Sequence, residues 1–196
     1  MFTVSNQLCK IVSVTNVSEK HGKDRKPALS IGLYLVGSGS MLDQFDPALR
    51  PMLYRKPQPT PSGLPLEYDD NELTELRFPF MRNLAWDRKY AGFLLRFRIG
   101  ASGADDVLLA ECGLKDIRFV AQEGGSVGIA FKVTAHPKDE IDHGRIATRL
   151  QQEIFIDLTP PDHMPTLLDG HPDEEQDDER DPFEWTDIPP LTEETE

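Results

Sequence analysis

The feature that most constrains this fold is a period of two in the apolar residues. In the segment FLLRFRI (93–99), Phe93 and Phe97 occupy one set of alternate positions, and Arg96 and Arg98 the other. Successive side chains of a β-strand point to opposite faces, so this pattern is typical of a strand with one buried face. Comparable runs recur at short intervals through the first 159 residues, which predicts a mainly β domain.

The other predicted strands are apolar or alternating runs rich in β-branched and aromatic residues. They cover residues 9–14, 29–36, 107–112, 114–121, 127–135 and 154–158, with a short strand within 73–80. Paired glycines in QEGGS (122–126) predict a tight hairpin, because glycine readily adopts a positive φ. One helix is predicted from about residue 138 to 153, after Pro137 and with acidic residues in its first turn. We therefore expect a compact β-barrel of the OB-like kind, or a sandwich, with one helix.

The charge of the chain is concentrated at one end. Fourteen of the 34 acidic residues and one of the 21 basic residues lie in residues 160–196, so this segment carries the whole net charge of −13. The first 159 residues are neutral. A segment with few apolar residues and a dense run of like charge cannot bury enough surface to fold alone. We expect a body at 1–159, with a proline-rich, loop-rich insertion at about 42–86, and a disordered acidic tail at 160–196.

Two basic segments of the body are candidates for binding nucleic acid. Single-stranded sites combine aromatic side chains, on which bases stack, with cations that contact phosphates. The first segment is the tip between the first two predicted strands, and the second precedes and includes the strand at 93–99. The candidate residues are Lys20, Lys23, Arg25, Lys26, Arg82, Trp86, Arg88, Lys89, Tyr90, Arg96 and Arg98. The alternative interpretation is a solubilising loop tip and an ordinary strand with a solvated polar face and Trp86 in the core.

Other chemistry receives less support from the sequence. His136, Asp139, Asp142 and His143 could form a metal site, but their spacing is poor and acidic residues at a helix N-terminus explain the carboxylates. We found no motif of a phosphate-binding loop, nucleophile elbow or zinc protease, and we expect no enzyme activity, catalytic residue, metal or cofactor. Cys9 and Cys112 are expected to be two buried thiols, typical of a reducing compartment.

The tail contains one apolar cluster among its acids. Phe183, Trp185 and Ile188 lie close together, a composition typical of a short linear motif that docks into a pocket of a partner protein. The sequence Asp187-Ile188-Pro189-Pro190 is similar to the Asp-Ile-Pro-Phe tip of bacterial single-stranded DNA-binding proteins. In that family the phenylalanine ends the chain, whereas here six residues, LTEETE, follow.

In its organisation, a β-barrel body with an acidic tail, the chain resembles bacterial and bacteriophage single-stranded DNA-binding proteins. The resemblance implies a tail that competes with DNA for the body and recruits replication or recombination proteins. We expect such a protein in the cytoplasm of a bacterial or phage-infected cell, without a membrane span. The alternatives are a non-enzymatic, phage-like structural or interaction protein and an acidic DNA mimic that inhibits a nucleic-acid-binding enzyme. Self-association and the choice between DNA and RNA stay open.

Overall fold

The computed structural model describes residues 1–21, 24–57, 73–81, 83–100 and 103–161, and for residues 18–21 and 24–26 it describes the backbone alone. The predicted acidic tail beyond residue 161 therefore lies outside the described residues. So do residues 58–72 of the predicted insertion.

The described residues form nine strands and two α-helices. The strands are β1 (Val4–His21), β2 (Asp24–Ser38), β3 (Tyr54–Arg55), β4 (Glu75–Leu76), β5 (Leu84–Trp86), β6 (Tyr90–Arg98), β7 (Val107–Ala121), β8 (Ser126–Ala135) and β9 (Glu153–Thr159). The helices are α1 (Leu49–Leu53) and α2 (Glu140–Ala147), and short 3₁₀ helices cover Gly39–Gln44 and Glu123–Gly125.

Six antiparallel strands close into a barrel. Each strand pairs with the next in the order β1, β2, β8, β7, β6, β9, and β9 pairs again with β1. The short strand β5 adds to the end of β7, and β3 and β4 form a separate two-stranded sheet. The mainly β prediction is confirmed, and the architecture is a barrel rather than a sandwich. A closed barrel is compatible with an OB-like fold, although the OB fold has five strands and six close here.

The barrel interior is filled by the apolar positions of the period-two pattern. Phe93, Leu95 and Phe97 of β6 are completely buried. Leu94 and Arg98, which belong to the other set of alternate positions, are exposed. The neighbouring strand β9 follows the same rule, since Ile156 is buried opposite Phe97. The alternation in the sequence therefore identifies the core face of these strands correctly.

The predicted strands at 107–112 and 114–121 are one long strand, β7, with two bulges. Register shifts occur between Phe93 and Leu95 on the β6 side and between Lys115 and Arg118 on the β8 side. Glu111 and Asp116 occupy left-handed backbone conformations at these points, with φ of 56° and 54°. Bulges bend a strand and increase its twist, which lets β7 follow the closing barrel.

The hairpin predicted at 122–126 joins β7 to β8 and is confirmed. Gly124 and Gly125 both have positive φ there, at 79° and 74°. The predicted helix at 138–153 exists, but α2 ends at Ala147 rather than near residue 153. The chain has to turn at that point, because the backbone of Gln151 and Gln152 hydrogen-bonds to Ile11 and places β9 beside β1.

The insertion contains more structure than its prolines indicate. Its first residues belong to the 3₁₀ helix Gly39–Gln44, which is capped by the Ser38 hydroxyl. Leu42, Leu53 and Tyr54 are buried against the barrel. The Tyr54 hydroxyl donates a hydrogen bond to the carbonyl oxygen of Ser126, which ties this segment to the β7–β8 hairpin. The strand predicted within 73–80 is limited to Glu75–Leu76.

The hairpin of β1 and β2 extends beyond the barrel. On β1 the last residue paired with β9 is Lys10, and on β2 the pairing with β8 reaches only to Leu29. Further out, residues 17–21 and 24–28 pair with each other alone in the described registers. We call this two-stranded extension the arm. The described residues of the predicted basic tip, 20–21 and 24–26, belong to it.

The assignment of core residues predicts that two phenylalanines on adjacent strands contribute very differently to the free energy of unfolding. Phe97→Ala should lower the free energy of unfolding by about 3–5 kcal/mol, because it removes a completely buried ring. Phe155→Ala, on the adjacent strand but 47% exposed, should cost less than about 1 kcal/mol. Urea denaturation followed by tryptophan fluorescence measures both, and similar losses would contradict the inward and outward assignment.

Candidate nucleic-acid interface

The two arginines predicted on the polar face of β6 are outward-facing but are held by carboxylates. Arg96 contacts Asp106 at 2.6 Å, and Arg98 forms a two-point contact with Asp157 at 2.7 and 2.9 Å. About two fifths of each arginine side chain stays exposed. A phosphate would therefore have to compete with a carboxylate already in place at both positions.

Hydrogen bonds stabilise the charged form of both acceptors. The pKa of Asp157 lies below its usual value, chiefly because Arg98 donates to it, and Arg96 and the Asn6 amide add to the effect. The pKa of Asp106 is also lowered, chiefly by a hydrogen bond from the Ile99 backbone amide and then by one from Arg96. This side of the barrel, formed by β6 and β9, is electrically balanced at neutral pH.

The predicted aromatic residues near β6 contact one another and the barrel. The ring of Trp86 lies 6.2 Å from those of Phe45 and Phe119, and its Nε1 donates to the Tyr90 hydroxyl at 3.0 Å. Arg88 lies over the Tyr90 ring, 5.3 Å from its centroid. Trp86 is thus half-buried and packs against the barrel core.

A cleft of about 900 Å³ lies on the outside of the barrel where β6, β7 and β8 meet the base of the arm. Lys89 and Tyr90 line it on one side, and Pro27, the residue after Lys26, lines it on another. The structure therefore brings the ends of both predicted basic segments to one cleft. Its walls are largely apolar and include Leu108 and Ala110.

The cleft also contains cations that the sequence did not single out. Lys115 and Lys138 line it together with Lys89, and among the described residues none of the three forms an ion pair. Glu111 is the acidic residue of the lining. The residues that line the cleft include three lysines and one glutamate, so the lining carries an excess of positive charge.

The cationic surface continues along β7 and β8. Lys115 and Lys132 occupy opposing positions on these strands, and Arg118 is exposed nearby. Asp116 accepts a hydrogen bond from Lys132 at 2.8 Å, and this contact, with the charges of Lys115 and Arg118, lowers its pKa. We call the cleft and this surface together the cationic side.

The remaining predicted site residues are only partly described. Lys20, Arg25 and Lys26 belong to the backbone of the arm, whose side chains are not described. Lys23, Arg82 and the tail residues Phe183, Trp185 and Ile188 lie outside the described residues. Their predicted roles in DNA binding and partner docking stay predictions.

The four residues weighed as a metal site have other partners. His136 Nδ1 lies 3.1 Å from the Pro27 carbonyl oxygen, and His143 Nε2 lies 2.9 Å from Asn16 Oδ1. Asp139 caps α2 by accepting from the Asp142 amide. Within the described segments there is no cluster of three or more potential metal ligands.

Both cysteines are buried free thiols, as predicted. Burial raises the pKa of Cys9 and of Cys112 to about 12. Both are therefore protonated at neutral pH, and a protonated thiol is neither a nucleophile nor a metal ligand.

The side of the barrel away from the cationic side exposes apolar side chains. Leu8 and Phe155 are paired across β1 and β9, with 40% and 47% of their surface exposed. Val36 on β2 is 42% exposed, and the Gln7 side chain donates to its carbonyl oxygen. Exposed apolar side chains on adjacent strands are typical of contact surfaces for other proteins.

The Arg98–Asp157 pair predicts a loss of stability in acid. Asp157→Asn should lower the free energy of unfolding by about 1 kcal/mol or less at neutral pH, because the pair is partly exposed. A lowered pKa in the folded state stabilises the protein only where the carboxyl is ionised. The difference in free energy of unfolding between the variant and the wild type should therefore be complete above about pH 5. It should shrink as the pH falls past the usual pKa of an aspartate.

Urea denaturation at pH 6 and pH 3 measures this difference. Asp87→Asn is the matched control, since Asp87 is exposed and forms no ion pair with a described residue. A difference for Asp157→Asn that persists unchanged at pH 3 would show that the ion pair is not its source.

No helix among the described residues is both long and apolar enough to cross a membrane. Comparisons of the chain with protein-family models, with curated proteins and with solved structures found no match.

Proposed function

We propose that the protein binds single-stranded DNA on the cationic side of its barrel. The observation that carries the proposal is the cleft, where Lys89, Lys115 and Lys138 converge without ion pairs to described residues. Phosphate contacts by such cations provide most of the affinity in single-stranded binding.

The shape of the cleft favours a single strand over a duplex. Its walls include the apolar residues Leu108, Ala110 and Leu114. Unstacked bases present apolar faces that can pack on such walls, whereas the bases of a duplex are stacked on one another. The cleft is also concave and large enough for a nucleotide, since ligand sites commonly measure roughly 300–1,000 Å³.

The arm extends this surface. Lys20, Arg25 and Lys26 lie on its two strands, and Pro27 connects it to the cleft. A strand bound in the cleft could therefore continue along the arm and meet further cations. Arg96 and Arg98 contribute less in this proposal, because Asp106 and Asp157 already neutralise them.

The acidic tail regulates this binding and recruits partners. Its fourteen acidic residues are tethered to a body with an exposed cationic side, and a tether keeps them at high effective concentration. The tail competes with DNA phosphates and is displaced when DNA binds. Phe183, Trp185 and Ile188 then dock to replication or recombination proteins in the cytoplasm of a bacterial or phage-infected cell.

A second candidate is a structural or interaction protein without nucleic-acid binding. The exposed apolar residues Leu8, Val36 and Phe155 favour it, because they lie on the strands β1, β2 and β9 and could contact another protein. This candidate does not explain why the lysines of the cleft form no ion pair with a described residue. Failure to bind DNA would make it the better account.

Removing charge from the cleft should weaken DNA binding and its salt dependence. We expect the double variant Lys115→Gln, Lys138→Gln to lower affinity for a single-stranded oligonucleotide. The slope of log K against log salt should decrease by about 1.4, since each phosphate contact contributes about 0.7 for single strands. Fluorescence anisotropy at several salt concentrations measures both quantities.

The matched control is Lys10→Gln, Lys56→Gln, which removes the same charge from residues that do not line the cleft. It should change the slope little. Equal effects of the two double variants would mean that binding depends on overall charge and not on the cleft.

Removing the tail should have the opposite effect. A chain truncated after Asp162 should bind single-stranded DNA more tightly at low salt, because it has lost its intramolecular competitor. The gain should shrink as salt screens the competition. A full-length variant with amides at the six acidic positions of 173–179 should show part of the same gain. Affinities equal to those of the wild type at every salt concentration would contradict the competition.

A further inference from the structure

Glu111 is an unexpected residue in a phosphate-binding cleft. It lines the cleft that contains Lys89, Lys115 and Lys138, and it is exposed. Its carboxylate forms no hydrogen bond or ion pair with a described residue, although three cations line the same cleft. A negative charge in this place opposes the binding of phosphate.

The backbone at Glu111 is also unusual. The register shift between Phe93 and Leu95 places an extra residue of β7 here, and Glu111 has a φ of 56°. The left-handed region is uncommon for glutamate, which lacks the local hydrogen bonds that let asparagine and aspartate adopt it. The bulge holds a carboxylate at the cleft at some conformational cost.

A carboxylate is an acceptor of hydrogen bonds and can accept two parallel donors. Among the DNA bases, guanine alone presents two adjacent donors, N1–H and the N2 amino group, on its Watson–Crick edge. Cytosine and adenine each present one amino donor beside an acceptor nitrogen, and thymine places one N–H between two carbonyl acceptors. An unpaired base that offers its edge to Glu111 is therefore best matched by guanine.

We propose that the cleft receives an unstacked guanine of the bound strand, with Glu111 accepting hydrogen bonds from N1–H and N2. The inference rests on the proposed single-stranded DNA binding. The apolar wall at Leu108 and Ala110 contacts the base, and Lys115 and Lys138 contact the flanking phosphates. The phosphates then supply affinity, and the carboxylate supplies selectivity among bases.

The test uses the full-length protein and four oligonucleotides of fifteen nucleotides. One is all thymine, and the others carry a central guanine, inosine or adenine. Inosine keeps N1–H but lacks the N2 amino group. We expect the guanine oligonucleotide to bind at least about 5-fold more tightly than the thymine one, with inosine intermediate and adenine close to thymine, since a two-point contact to a base commonly discriminates by that much or more.

Glu111→Gln keeps the size of the side chain but replaces one acceptor by a donor. It should bring the guanine and thymine affinities within about 2-fold of each other. Glu153→Gln is the matched control, because Glu153 is an exposed glutamate of β9 that does not line the cleft. It should leave the preference for guanine unchanged.

The outcomes separate this inference from the proposed function. Equal affinity of the wild type for all four oligonucleotides would overturn the guanine site and leave single-stranded binding intact. A Glu111→Gln variant that binds every oligonucleotide more tightly by the same factor would show a carboxylate that only repels phosphate. If none of the four binds, the proposed function fails and the guanine site with it.

Discussion

The structure depends on the pairing of β9 with both β1 and β6. This last strand of the barrel is hydrogen-bonded on both edges, to the first strand of the chain and to a strand some sixty residues earlier in sequence. Its residues Ile154, Ile156 and Leu158 complete the core. Closure removes the exposed sheet edges that an open sheet would present, and it fixes which side chains of every strand point outward.

Closure also decides how charge is distributed over a neutral body. On the β6–β9 side, Asp106 and Asp157 lie close enough to Arg96 and Arg98 to neutralise them. On the β7–β8 side, acidic partners are fewer, and the lysines of the cleft have none among the described residues. A body without net charge thus has one cationic side. The proposed DNA binding uses that asymmetry, and the acidic tail would complement it.

The sequence predicted the strands well because their apolar residues alternate, and this signal is local. The burial of Phe93 and Phe97 followed from it directly. It did not show that Asp157, 59 residues away, would pair with Arg98, since strand order depends on contacts between distant segments. The cleft could not be predicted for the same reason. Lys115 and Lys138 come close to Lys89 because β7 pairs with both β6 and β8, and this strand order is not visible in the local sequence. The end of α2 was missed because the turn at Gln151 is set by its bonds to Ile11.

The most direct test of the cationic side is an amide NMR titration of the ¹⁵N-labelled protein with a single-stranded oligonucleotide. The account predicts that the largest shift changes fall on Tyr90, Gly113–Lys115, Thr134–His136 and Lys138, around the cleft. Residues of β9 such as Phe155 should change little. Changes concentrated on β1 and β9, or no changes at oligonucleotide concentrations well above that of the protein, would contradict it.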